Sequence, residues 1–158
     1  MNINIIGVGK VKEDYIKEGV KEFTKRLSSH AKVEIIEVPD EAAGENLSEK
    51  DKQIVIEAEG ERLKRHIKSG YTIALDIKGK KLSSEAFAEK LKDIMLEGNS
   101  TINFLIGGSL GLSEEILKEA DFRLSFSDMT FPHQLMRLIL LEQVYRCFRI
   151  INNYPYHK

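Results

Sequence analysis

Short β-rich runs and amphipathic helical stretches take turns along the whole chain, and that alternation restricts the fold more than any other feature. "NINIIGV" (2–8) and "KVEIIEVP" (32–39) read as strands, the second alternating with period two up to its proline. Between them, residues 12–29 carry Tyr15, Ile16, Val20, Phe23 and Leu27 on one helical face. After the polar loop "DEAAGENLSE", Ser48 is placed to cap a charged helix over 49–68. "YTIALDI" (71–77) is a strand bounded by Gly70 and Gly79, and "SSEAFAEKLKDIMLEG" opens on a capping pattern and closes on Gly98. "TINFLIGG" is an apolar strand running into glycines, followed by a short helix (113–120), a short strand (122–126) and a long helix (132–152). Five strands alternating with five helices, without repeats or a linker, predict one α/β domain over 1–158. Its mainly parallel sheet is flanked by helices on both faces.

Composition narrows the class. The chain is 42% hydrophobic and 31% charged, as expected of a soluble globular protein. It has no apolar run of the roughly 18 residues that a membrane span needs, and "MNINIIGVGK" reads as a first strand and not a signal peptide. A cytoplasmic protein is expected. Cys147 is the only cysteine, which excludes an internal disulfide and a cysteine-based zinc cluster. No two histidines have metal-ligand spacing, so no metal is expected, and His30 and His66 are assigned no role. The net charge of −1 does not announce a nucleic-acid binder. Its distribution is uneven, with nine Asp/Glu against three Lys/Arg in 37–63 and five Lys/Arg against two Asp/Glu in 122–158. A polyanion would approach the C-terminal third.

Ligands of parallel α/β sheets bind beyond the carboxyl ends of the strands. Three such ends stand out: "ALDIKGK" (74–80), "FLIGGSLGL" (104–112) and "LSFSDMTFPH" (124–133). Gly107, Gly108 and Gly111 give G-G-x-x-G, not the dinucleotide G-x-G-x-x-G, and they come after three strands. Taken alone, each glycine run is equally a set of tight turns. On the long helix, Glu142, Arg146, Arg149 and Asn153 share a polar face, while His133 and Arg137 lie on the apolar one. A guanidinium there needs an anionic partner, either an internal carboxylate or a ligand. The helix is apolar almost all round, which points to a second subunit docked on outward residues such as Leu140. Cys147 reads as a buried thiol. The chain then stops at "NNYPYHK", an unusually structured set of residues for a terminus.

Taken together, "LDIKGK", "FLIGGSLGL", "LSFSDMTFPHQLMRLILLEQVYRCFRI" (124–150) and "NNYPYHK" resemble the bacterial ribosomal large-subunit rRNA methyltransferase H family, of the SPOUT class. The likeness runs from "IIGVGK" to the last residue. The resemblance implies an α/β knot, in which the C-terminal part of the chain threads a trefoil. It also implies methylation, dependent on S-adenosyl-L-methionine, of N3 of a pseudouridine in helix 69 of 23S rRNA. The family acts on the assembled ribosome as a homodimer.

Carried onto this chain, the resemblance makes Leu75, Gly108 and the run Ser127, Asp128, Met129, Thr130, Phe131 and Pro132 the cofactor-binding residues. Asp76 would orient its loop or touch the ribose. Removal of the N3 proton calls for a base or a stabiliser of developing charge. The candidates are His133, Arg137, Tyr154, Tyr156 and His157, with the two tail tyrosines also suited to stacking on bases. Lys158 is equally an exposed end without a role. On this reading the tail helps to build the active site. A ribosome-binding module without chemistry would account for the basic C-terminal third but not for the three strand ends, and the broken fingerprint disfavours a nucleotide-dependent oxidoreductase.

Overall fold

Every residue of β1 (Asn2–Val8) beyond the first is buried, as required of a strand paired on both edges and covered on both faces. The computed structural model describes residues 1–42 and 44–158. After β1 come α1 (Asp14–Leu27), β2 (Lys32–Val38), α2 (Glu49–Lys64), β3 (Tyr71–Lys81), α3 (Ser84–Leu96), β4 (Thr101–Ile106), α4 (Glu114–Glu119), β5 (Phe122–Ser125) and α5 (His133–Ile151). The strands pair in the order β2-β1-β4-β3-β5. All neighbouring pairs are parallel. The expected α/β architecture is what the chain adopts. The polar loop expected over 40–49 includes Ala43, which lies outside the described residues.

Side chains of β1 alternate between two cores. Ile3 and Ile5 join Leu27 of α1, Leu91 of α3, and Leu140, Val144 and Cys147 of α5. Ile6 and Val8 join Leu63 of α2 and Ile116 of α4 on the other face. α5 packs against both α1 and α3. Much of its apolar circumference is therefore used within the chain, and Leu140, expected to face outward, is fully buried. A helix with a sheet beneath it and a helix on each side buries more than one stripe.

Ser48, Ser83 and Ser113 each accept a hydrogen bond from the backbone N–H three residues on, fixing the starts of α2, α3 and α4. Two ends differ from the sequence reading by four residues, the others by two at most. α2 stops at Lys64, not 68, because buried Asn103 on β4 captures the chain beyond it. The Asn103 amide donates to Lys68 O at 2.7 Å and accepts from Lys68 N–H at 3.3 Å. β3 continues past Gly79 to Lys81, with its register against β5 shifting between Leu75 and Lys80. This irregularity lies at the carboxyl edge of the sheet, where bulges commonly re-aim side chains. No helix among the described residues is long and apolar enough to cross a membrane.

Candidate active site

The carboxyl ends of β3, β4 and β5 enclose a cavity of about 340 Å³. Leu75, Asp76 and Ile77 form one wall, residues 106–112 a second, and residues 124–127 and 129–131 a third, with His133 and Met136 of α5 closing the ring. Gly108 and Gly111 face each other in an antiparallel bridge, and Gly111 N–H donates to Gly108 O at 3.0 Å. Gly111 has φ +86°, and a Cβ on Gly107 would meet the Gly111 carbonyl carbon at 2.6 Å. Side chains at either position would prevent this turn. The third wall is held by its own turns: the Ser125 hydroxyl donates to Ser127 O at 3.1 Å, and Ser127 Oγ accepts from Met129 N–H at 3.0 Å.

Leu75, Gly108, Ser127, Met129, Thr130 and Phe131, all expected from the sequence, line the cavity, as does His133. Asp128 and Pro132 stand beside it. Asp128 turns outward to Lys81 Nζ at 2.5 Å, and Pro132 is the exposed residue ahead of α5. Sequence reasoning did not single out Leu110, Phe126 or Met136, which also line it. Leu110 and Phe126 lay inside the quoted loops, and their apolar character among polar neighbours was the available signal.

Arg137 does not line the cavity. Its side chain is 1% exposed and its Nη1 donates to Glu37 Oε2 at 2.8 Å. Nη2 donates to Val8 O at 2.7 Å and Gly9 O at 2.6 Å. Of the two partners open to this guanidinium, the structure shows the internal one. Glu37 Oε2 also accepts from Val11 N–H at 2.7 Å, so the carboxylate joins α5 to the loop after β1. Burial lowers the Arg137 pKa from its ordinary value, with Glu37 opposing. His133, one turn earlier, is half-buried. Burial, then the Arg137 charge, lowers its pKa, and Asp40 opposes them. A neutral imidazole is the favoured form.

The tail does not reach the cavity of its own chain. It folds back on α5, where the polar face recognised in the sequence receives it. The Tyr156 ring stands edge-on to Tyr145 at 4.9 Å, and its hydroxyl donates to Glu142 Oε1 at 3.2 Å. His157 places Nδ1 3.1 Å from Arg146 Nη1 and Nε2 2.6 Å from Glu85 Oε1 on α3. The His157 bond holds the Glu85 carboxyl below its usual range. Tyr154, half exposed, lies under the Arg149 guanidinium at 4.7 Å.

A parallel sheet with a glycine-turn cavity beyond its strand ends defines an α/β protein with a pocket of small-molecule size where such sheets commonly bind ligands. The family model described as "Predicted SPOUT methyltransferase" matches residues 1–157, and the chain belongs to that family. "Ribosomal RNA large subunit methyltransferase H" of Alkaliphilus oremlandii (strain OhILAs) is 62% identical over the whole of both chains. The protein of the same name from Clostridioides difficile (strain 630) is 58% identical, again over the whole of both. Among solved structures, a "probable methylase family protein from Haemophilus influenzae Rd KW20" superposes with a TM-score of 0.54 at 12% identity, covering 99% of this chain and 70% of that one. That likeness bears on the fold alone.

Proposed function

We propose that this chain, as one domain over residues 1–158, methylates N3 of a pseudouridine in helix 69 of 23S rRNA. On this reading it uses S-adenosyl-L-methionine, acts on the assembled ribosome and works in the cytoplasm. The observation that carries the reading is the glycine-turn cavity, in a chain whose full-length relatives bear a ribosomal RNA large-subunit methyltransferase name. Its volume of about 340 Å³ falls in the usual range for small-molecule sites. Gly111, where an added Cβ would meet no atom within 4 Å, leaves the main chain open to a ligand, and Leu75, Leu110 and Phe131 offer apolar walls for an adenine.

S-adenosyl-L-methionine supplies, when bound, an electrophilic methyl on a sulfonium sulfur. Leu75, Gly108 and residues 127–132 would hold it, with Lys81 steadying the third wall through Asp128. N3 becomes a nucleophile only as its proton leaves, and His133 is a neutral imidazole at the cavity able to accept or relay that proton. Arg137 acts here as a positioning residue: it ties the start of α5, and so His133, to the ends of β1 and β2. Tyr154, Tyr156 and His157 would serve the cavity of a second copy.

The homodimer belongs to the same reading. With Leu140, Val144 and Cys147 facing the core, Leu135 and Ile139 stand on the opposite side of α5. Leu138 packs onto Gly19 of α1, and Tyr15, one turn before Gly19, is 65% exposed. This apolar stripe runs along the helix whose His133 and Met136 close the cavity, and suits a two-fold contact that carries one tail towards the other chain's site. The trefoil knot implied by the resemblance also belongs to this proposal. Tritium transfer from labelled S-adenosyl-L-methionine to ribosomes, large subunits and naked 23S rRNA tests it. Incorporation on ribosomes that contain the pseudouridine, and not on those with uridine there, is the expected result. Ribosome binding without incorporation would make the chain a non-catalytic module.

A further inference from the structure

Beneath the glycine turn, on the side away from the cavity, lies the carboxyl group of Glu59, a residue of α2 that is 4% exposed. A Cβ built on Gly108 would meet Glu59 Oε1 at 3.0 Å and Oε2 at 3.4 Å, with Val8 Cγ1 at 3.2 Å completing the contact. The next residue, Gly60, touches the far end of the same loop, since its Cβ would meet Ser113 Oγ at 2.9 Å. Glu59 and Gly60 together form the floor on which residues 107–113 rest.

The two carboxyl oxygens differ. Oε2 accepts from the backbone N–H of Glu41 at 3.0 Å, on the loop that follows β2. Oε1 has no partner among the described residues. Among the described residues no cation pairs with Glu59: its neighbour Arg62 binds Glu41 and donates to Pro39 O at 2.9 Å. The charges that act on the carboxyl are Asp40 and Glu41 from the loop and Arg62 from α2 itself. β1 presents Val8, the turn presents glycine, and α4 presents its capping Ser113. A buried carboxylate with one donor and no cation is costly, so the site favours the protonated acid. Consistently, burial raises the Glu59 pKa above the ordinary carboxyl range.

We propose that Glu59 is a positioning residue for the cofactor cavity: its uncharged carboxyl, seated under Gly108 and tied to Glu41, holds the glycine turn and the loop after β2 in the arrangement that receives the ligand. Ionisation would put an unsatisfied charge directly under Gly108. The anion would then recruit water or another donor, displacing the turn, so ligand affinity falls as pH rises through the Glu59 pKa. The inference rests on the proposed function, because the ligand it serves is the one assigned there.

The test is calorimetric titration of the full chain with S-adenosylhomocysteine between about pH 5 and pH 9. Wild type, Glu59→Gln and Glu59→Ala are compared, each checked for folding by circular dichroism. The Gln variant, neutral at every pH, should match wild type at the acid end and lose affinity less steeply, leaving it about tenfold tighter at the alkaline end. The Ala variant should bind about tenfold more weakly throughout, because the floor is gone. Without any ligand, hydrogen exchange of residues 107–112 should accelerate at alkaline pH in wild type beyond that in the Gln variant. Superimposable pH profiles for wild type and Glu59→Gln, in binding and in exchange, would overturn the proposal. If Glu59→Ala does not fold, that comparison decides alone. Wild type that binds no S-adenosylhomocysteine at any pH would overturn the functional reading instead, leaving the exchange comparison to judge Glu59.

Discussion

Gly7 and Arg137 occupy one space: a Cβ on Gly7 would meet Arg137 Nε at 2.9 Å and Cζ at 3.0 Å. The guanidinium lies against β1 because the strand has no side chain there. Gly7→Val should force it off its acceptors and cost about 1–3 kcal/mol, an overpacking effect. Arg137→Met should cost about 2–4 kcal/mol, leaving Val8 O and Gly9 O without their donor and Glu37 without its cation. Chemical denaturation measures both, and an Arg137→Met protein as stable as wild type would remove the residue as an anchor.

The glycine turn admits no side chain at its entry. Gly107→Ala places a methyl within 2.6 Å of the Gly111 backbone, so the turn must open while the sheet stays paired. Affinity for S-adenosylhomocysteine should fall at least about tenfold, with the far-ultraviolet spectrum unchanged. Wild-type affinity would mean that the backbone of this turn does not touch the ligand.

His133 sets an expectation for pH. Because its folded pKa is depressed, unfolding takes up a proton between that value and the ordinary one near about 6.5. Its contribution to stability is therefore present above this window and lost as pH falls through it. The rate of methyl transfer should show an acid limb below the ordinary histidine value, absent in His133→Asn. A limb centred above that value would contradict a half-buried imidazole that feels the Arg137 charge.

Deleting residues 154–158 should abolish methyl transfer to ribosomes and leave S-adenosylhomocysteine binding within a few-fold of wild type, since the tail does not line its own chain's cavity. Among single changes, His157→Ala should slow transfer more than Lys158→Ala, because His157 is bonded to Arg146 and Glu85. Single-turnover kinetics beside calorimetry separates the two effects. A truncated chain that methylates at the full rate would reduce the tail to a well-docked end.

The apolar stripe predicts where the dimer parts. Leu135→Glu or Ile139→Glu should shift sedimentation from dimer to monomer, at an association cost of several kcal/mol, while the monomer keeps its fold. Leu140→Glu should unfold the chain instead, since Leu140 is fully buried. Sedimentation of wild type as a monomer at micromolar concentration would end the dimer proposal.

The elements themselves were legible because local patterns specify them. Ser48 and Ser83 cap where the sequence said they would, and the strand ends that bear glycines do meet at one cavity. What escaped notice depends on contacts distant in sequence. Nothing near Arg137 shows that its partner is Glu37, and nothing in the run after α2 shows that Asn103 will end the helix. Part of the apolar girth of α5 meets α1 and α3, which become its neighbours only in three dimensions, so the sequence does not separate the residues that meet them from Leu135 and Ile139. Nothing in the charged run around Glu59 shows that the glycine turn rests on it.

Cys147, the only cysteine of the chain, has no exposed surface where α5 meets the sheet, and burial pushes its thiol far above the usual range. A maleimide in solution thus finds nothing to react with until the central helix leaves the sheet. The protein carries its own stopwatch for that event. Alkylation followed by mass spectrometry would time the release of α5 without an introduced label, and since the tail is moored on the same helix, unbuttoning residues 154–158 should make the clock run faster.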